Sequence, residues 1–131
     1  MQTDRPGVKI GAIKGSPSDK YLTRTLKSAQ LVRIALSPNI VADSVEMLRT
    51  GKADLFGADS GIVYAAATQL PGAKILSGVF STIQQTMLLP KGRSAAARAK
   101  LAQLGVEAKR IGVVQAAIEK RGLKAVRVAP E

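Results

Sequence analysis

The first seventy residues alternate between short apolar runs and amphipathic stretches, and this alternation constrains the fold more than any other feature of the sequence. Apolar runs at 8–13, 31–36 and 53–58 are each followed by turn or helix-capping residues and then by apolar positions at helical spacing. Strands that alternate with helices in this way predict βαβ units and a mostly parallel sheet. We therefore expect an α/β fold.

Three further runs extend the expected sheet. Short apolar runs at 74–76, 83–89 and 125–128 predict additional strands, which gives a sheet of about five strands. The run at 83–89 is expected to be antiparallel, because it would cross back over the sheet. The architecture expected from these elements is a three-layer single lobe.

The last third of the chain is expected to be helical. An Ala-rich stretch at 94–109 and a second stretch at 112–120 have helical spacing, and both follow Pro90. We therefore predict two parts, an α/β ligand-binding lobe at 7–90 and a C-terminal helical tail at 91–131.

Composition excludes several classes of active site. The 131 residues include no Cys, no His and no Trp. Thiol nucleophiles, disulfides, His-based acid–base catalysis and the usual zinc and haem sites are therefore excluded. The sequence also lacks nucleophile motifs of the G-x-S-x-G and S-x-x-K kinds. We expect no catalytic residues, no bound metal and no cofactor.

The chain is strongly basic, with 20 Lys and Arg against 9 Asp and Glu. Most of the excess lies at 90–131, where ten basic residues face three acidic ones. Such a charge is typical of proteins that bind nucleic acid. Only four aromatic residues are available for stacking on bases, however, and a solvated helix face is the more usual role of such charges. Nucleic-acid binding through the basic tail is therefore the less favoured interpretation.

Four stretches, in order, carry a resemblance to a known family. They are Gly-Ser-Pro-Ser-Asp at 15–19, the helix end and turn at 44–54, Phe-Gly-Ala-Asp at 56–59 with the Val-Tyr that follows, and Met-Leu-Leu-Pro-Lys-Gly at 87–92. Together they resemble the second lobe of the type II solute-binding proteins of bacterial ABC transporters, in the group that binds polar amino acids. The resemblance covers about residues 7–130.

The resemblance implies a binding site made of four residues. In that family, a Gly-Ser or Gly-Thr turn at a helix start holds the carboxylate of the ligand, and Gly15, Ser16 and Ser18 match this turn. An Asp after the third strand pairs with the ammonium group of the ligand, and Asp59 matches that position. Pro17 departs from the pattern because it removes one N–H donor. Ordinary helix capping explains Ser16, Ser18 and Asp59 equally well, and that alternative stays open.

The function implied by the resemblance is binding of a small polar solute, such as an amino acid or a similar anion. The chain would be one lobe of an ABC transporter substrate-binding protein, whose partner is a membrane permease. A first lobe would precede Gly7, so we expect half of a binding cleft and weak affinity. The helical tail would also lack its usual cover, and we therefore expect a homodimer through the C-terminal helices. The apolar residues expected in that interface are Leu101, Leu104, Val113, Val114 and Ile118.

One alternative function and the location of the protein also follow from these observations. The alternative is an effector-sensing or protein-interaction module of the same fold. The family that the chain resembles is periplasmic. Residues 1–7 are polar and do not form the apolar region of a signal peptide, so the chain as written is expected in the cytoplasm.

Overall fold

A computed structural model describes residues 3–83 and 86–129. The chain forms two compact units, Met1–Thr82 and Ile83–Glu131. The first unit contains β1 (Lys9–Ile13), α1 (Pro17–Thr25), β2 (Gln30–Ile34), α2 (Ile40–Arg49), β3 (Leu55–Gly57) and α3 (Ser60–Gln69). The second unit contains α4 (Ala95–Arg110) and α5 (Val113–Lys120). The predicted division into 7–90 and 91–131 stays a prediction.

The three strands form one parallel sheet in the order β2-β1-β3. The central strand pairs Ile10 with Leu31 on one side and with Leu55 on the other. The α/β class and the parallel sheet are therefore confirmed. The expected number of strands is wrong, since the described residues contain three strands instead of about five.

The additional strands fail to form for lack of a neighbouring strand. Residues 74–76 and 125–128 have no strand structure, and Leu76 is 59% exposed. The expected strand at 83–89 is not formed by the residues described there, and positions 84 and 85 lie outside the described residues. A short apolar run becomes a strand only where a neighbour accepts and donates its backbone hydrogen bonds.

The two faces of the sheet are covered by different helices. Ile10 and Ala12 are buried in one cluster with Leu22 of α1. A side chain at position 11 would point to the opposite face, because side chains alternate along a strand. A Cβ at Gly11 would overlap the sulfur of Met47 on α2 and lie 3.1 Å from Cδ2 of Phe56. Helices α1 and α2 thus lie on opposite faces, and glycine at position 11 lets α2 approach the sheet closely.

Helix α1 ends at Thr25 because the next backbone groups bond to a side chain. The backbone N–H groups of Lys27, Ser28 and Ala29 donate to the carboxylate of Asp4 at 2.8–2.9 Å instead of continuing the helix. These three hydrogen bonds lower the pKa of Asp4, and the hydrogen bond from Ala29 has the largest effect.

The second unit consists of two helices joined by a left-handed glycine. The hydroxyl of Ser94 accepts the N–H of Ala97 and begins α4, as expected of an N-cap residue. Gly112 has a φ of 79° and separates α4 from α5, a backbone conformation that favours glycine. Among the described residues, no helix combines the length and the apolar character needed to cross a bilayer.

Candidate functional site

The four residues predicted for the site follow two neighbouring strands. Gly15, Ser16 and Ser18 follow β1, and Asp59 follows β3. Strands β1 and β3 are paired and parallel, with Ala12 opposite Gly57. The turn after β1 and the residue after β3 therefore belong to the same edge of the sheet, where the carboxyl ends of the strands meet. Ligands of open α/β proteins bind at this edge.

Ser16 is the N-cap residue of α1. Its hydroxyl oxygen accepts the N–H of Asp19 at 3.1 Å, and its own N–H donates to the carbonyl of Ile13 at 3.1 Å. The hydroxyl proton of Ser16 remains available as a donor, because the oxygen acts here as an acceptor. The helix-capping alternative is therefore correct for Ser16, and it leaves a donor free for a second role.

Ser18 supplies the amide of the first turn that remains available. Pro17 has no N–H, and the N–H groups of Ser16 and Asp19 are engaged within the turn. The described residues provide no acceptor for the N–H of Ser18. The residue is 5% exposed, so only a small group that enters the turn could reach it.

An internal carboxylate occupies the N–H group of Gly15. Gly15 donates to Oδ2 of Asp19 at 2.8 Å, and its φ of 78° shapes the turn between β1 and α1. Asp19 is buried, and its other oxygen, Oδ1, accepts Nε of Arg33 at 2.8 Å. The pKa of Asp19 is lowered, chiefly by the hydrogen bond from Gly15 and further by Arg33. Asp19 is therefore a carboxylate that stays charged.

Sequence reasoning missed the role of Arg33. This residue lies on β2, and its Nη2 donates to the hydroxyl of Thr23 at 2.7 Å while its Nε reaches Asp19. A charged residue inside the apolar run at 31–36 was the available signal, because such a residue needs a partner. Arg33 thus offsets the negative charge that Asp19 places at the start of α1.

Asp59 caps α3 and keeps one carboxylate oxygen free. Its Oδ1 accepts the N–H of Ile62 at 3.1 Å, as the capping alternative predicts. The residue is exposed, and it forms no ion pair with a cation of the described residues. Its second oxygen can therefore accept a hydrogen bond from a ligand ammonium group.

A cavity of about 290 Å³ opens beside the end of β2, close to the lower limit for a small-ligand cleft. Its lining combines an apolar floor with charged groups: Ile34, Ala35, Ser37, Asp43, Glu46, Met47 and Lys52. The carboxylates of Asp43 and Glu46 already accept hydrogen bonds from Ser37 and Arg49. None of the four predicted residues lines this cavity. It is therefore a competing location for a solute of mixed charge.

Neither a metal-binding cluster nor similarity to known proteins indicates the function of this site. The described residues contain no group of three Asp or Glu side chains that could hold a metal ion. Comparisons with protein-family models, with curated proteins and with solved structures give no significant match. The geometry of the sheet edge is thus the basis for a functional proposal.

Proposed function

We propose that this chain binds a small polar solute that carries an anionic and a cationic group, such as an amino acid. The observation that carries the proposal is the pairing of β1 with β3 as parallel neighbours, which brings the turn at 15–18 and Asp59 to one edge of the sheet. We further propose, from the sequence resemblance, that the chain acts as a lobe of an ABC transporter substrate-binding protein with a membrane permease as its partner.

The anionic end of the solute is assigned to the start of α1. Two donors support this assignment, the hydroxyl proton of Ser16 and the N–H of Ser18, at the positive end of the helix dipole. Gly15 contributes the turn that positions them. Arg33 supports the assignment because its pairing with Asp19 prevents an uncompensated negative charge there.

The cationic end is assigned to Asp59. Its carboxylate is exposed and retains a free oxygen beside the N-cap hydrogen bond. A donor set and an acceptor at the ends of two adjacent strands suit a zwitterion better than a simple anion or cation.

A thermal-shift screen tests this proposal. The purified chain is mixed with each of the twenty amino acids, with small carboxylates and with phosphate, and its Tm is measured. A ligand at about 100 times its Kd stabilises by about 2.7 kcal/mol, which raises Tm by several degrees. We expect such a shift with one class of amino acid and a smaller one or none with simple carboxylates.

Two matched variants locate the binding site. Asp59→Asn keeps a good N-cap residue and removes the charge, so it should abolish the shift without unfolding α3. Asp43→Asn makes the same chemical change in the cavity beside β2 and should leave the shift intact. A shift that survives Asp59→Asn and is lost in Asp43→Asn would move the site to that cavity. Absence of a shift with every amino acid would contradict the proposal.

A further inference from the structure

The second unit exposes large apolar side chains and buries none among its described residues. All buried hydrophobic residues of the described chain lie in the first unit. The exposed ones of the second unit include Leu88 at 91%, Leu104 at 58% and Met87 at 57%. Exposed apolar groups of this size concentrated in one small unit indicate a surface that meets a partner.

Three consecutive exposed apolar residues form a loop that we call the apolar tip, residues 87–89. No helix or strand includes the tip, and Leu88 is the most exposed large apolar residue described. The methyl carbon of Met87 approaches α4, because a Cβ at Gly105 would lie 3.4 Å from it. The tip is therefore attached to the helical unit at Met87 and leaves Leu88 in solvent.

Positive charge follows the apolar tip along the chain. Lys91 and Arg93 follow the tip, and Arg98 and Lys100 lie in the first half of α4. Across the second unit, ten Lys and Arg stand against three Asp and Glu. The two acidic residues that the structure describes there are engaged: Glu107 accepts Nη2 of Arg110 at 2.6 Å, and Glu119 accepts Nε2 of Gln115 at 2.6 Å.

We propose that the second unit docks on an anionic lipid surface, with the apolar tip inserted among the acyl chains and Lys91 and Arg93 at the headgroups. This pairing of apolar groups with adjacent cations is what interfacial binding to anionic lipid requires. The proposal is independent of the solute site, which lies in the first unit.

Charge and composition favour lipid over the other possible occupants. A second copy of the chain would bring two strongly positive units together, which repel each other. Nucleic acid would match the cations, but phosphates offer nothing to Leu88, and the sequence from 83 to 131 has no aromatic residue to stack on bases. An anionic bilayer satisfies both the apolar tip and the cations.

Vesicle flotation with the full chain tests the proposal. The protein is mixed with vesicles of phosphatidylcholine, either alone or with about one-third phosphatidylglycerol, and the bound fraction is measured. We expect binding to the anionic vesicles and little to the neutral ones. Binding should fall strongly as the salt concentration rises from about 0.05 to 0.5 M, because salt screens the attraction between exposed charges.

Matched pairs of variants separate the two contributions. Leu88→Glu should weaken binding at least about tenfold, because it replaces an inserted apolar side chain by a charge. Its control is Leu36→Glu in the first unit, where Leu36 is 74% exposed, and this variant should bind much more like the wild type.

The double variant Lys91→Glu and Arg93→Glu should also lose binding, by about fivefold or more for each cation. Its control, Lys20→Glu with Lys27→Glu, makes the same change of net charge on exposed side chains of the first unit.

Three results would overturn the proposal. Equal binding of Leu88→Glu and Leu36→Glu would show that the apolar tip does not insert. Binding to duplex DNA that exceeds binding to anionic vesicles and is unaffected by Leu88→Glu would assign the cations to nucleic acid. A dimer in sedimentation velocity that Leu88→Glu dissociates would assign the tip to self-association, whereas the homodimer predicted from the sequence forms through the C-terminal helices.

Discussion

Asp19 connects three segments of the first unit through one carboxylate. It holds the N–H of Gly15 in the turn after β1, it lies in the first turn of α1, and it pairs with Arg33 on β2. The hydrogen bond from Gly15 and the pairing with Arg33 favour the charged form, and they lower the pKa of Asp19 despite burial, which acts in the opposite direction. The carboxylate that shapes the candidate anion site is therefore also a source of stability, and the two roles depend on the same charge.

The lowered pKa of Asp19 predicts how stability depends on pH. The unfolded chain takes up a proton near the ordinary value of 3.8, whereas the folded chain takes it up at a lower pH. The contribution of Asp19 to the free energy of unfolding should therefore be constant above about pH 5 and fall as the pH drops through 3.8 towards the folded pKa. Asp19→Asn should lose about 1 to 2 kcal/mol at neutral pH and show a shallower acid dependence. Urea unfolding followed by circular dichroism at a series of pH values measures both effects.

Arg33→Gln is the contrasting variant for this measurement. It removes the ion pair and leaves the hydrogen bond from Gly15, which is the largest cause of the lowered pKa. The acid dependence should then stay closer to that of the wild type than to that of Asp19→Asn. An acid dependence that is identical in the wild type and in Asp19→Asn would contradict the assignment.

The helices of the second unit owe their ends to local residues, because tertiary packing contributes little there. Ser94 is the N-cap residue of α4, and Gly112, in a left-handed conformation, is the N-cap residue of α5. Neither helix has a buried residue. Helices with little packing depend more on intrinsic propensity than helices in a core. Substitutions of glycine should therefore have clear effects in this unit.

Two glycines in the second unit should respond to alanine in opposite ways. Gly105 lies inside α4, and an added Cβ would make an ordinary contact with Met87, so Gly105→Ala should stabilise α4 by about 0.5 to 1 kcal/mol. Gly112 has a φ of 79°, so Gly112→Ala should destabilise the helix pair by about 1 kcal/mol. Amide hydrogen exchange of α4 in the full chain checks both expectations. Slower exchange in Gly112→Ala than in the wild type would contradict the second.

At the scale of the molecule, stability is distributed unevenly. Ile10, Ala12 and Leu22 form a buried cluster around the central strand, and the second unit has no comparable cluster among its described residues. Local opening costs least where few apolar groups are buried. The two units should therefore differ in how they open, even though one chain contains both.

Hydrogen exchange should reveal this difference directly. The amides of β1 that bond to β2 and β3 should exchange at the slowest rates, close to the limit set by global unfolding. The amides of α4 and α5 should exchange much faster. Equal protection in β1 and α4 would contradict the expectation and would mean that the second unit has a cover. If the second unit binds anionic lipid as proposed, addition of anionic vesicles should slow amide exchange in that unit alone.

The fold could be predicted from the sequence where local pattern and pairing agree. The alternation at 8–58 predicted the three strands of the parallel sheet, and Ser16 and Asp59 cap helices as their residue types favour. The strand predicted at 74–76 is wrong, because a strand requires a neighbour that the pattern of one segment does not specify. The ion pair between Arg33 and Asp19 was missed for the same reason, since it joins residues 14 positions apart that only the sheet brings together.

The order of the strands has a consequence for the growing chain during synthesis. The central strand β1 is synthesised first. Its two edges are paired only after β2, which contains Leu31, and β3, which contains Leu55, have been synthesised. Until translation passes residue 57, apolar groups that end in the core remain accessible, and such segments are prone to association with other chains. A nascent chain arrested before β3 should therefore be a better chaperone substrate than one arrested just after α3.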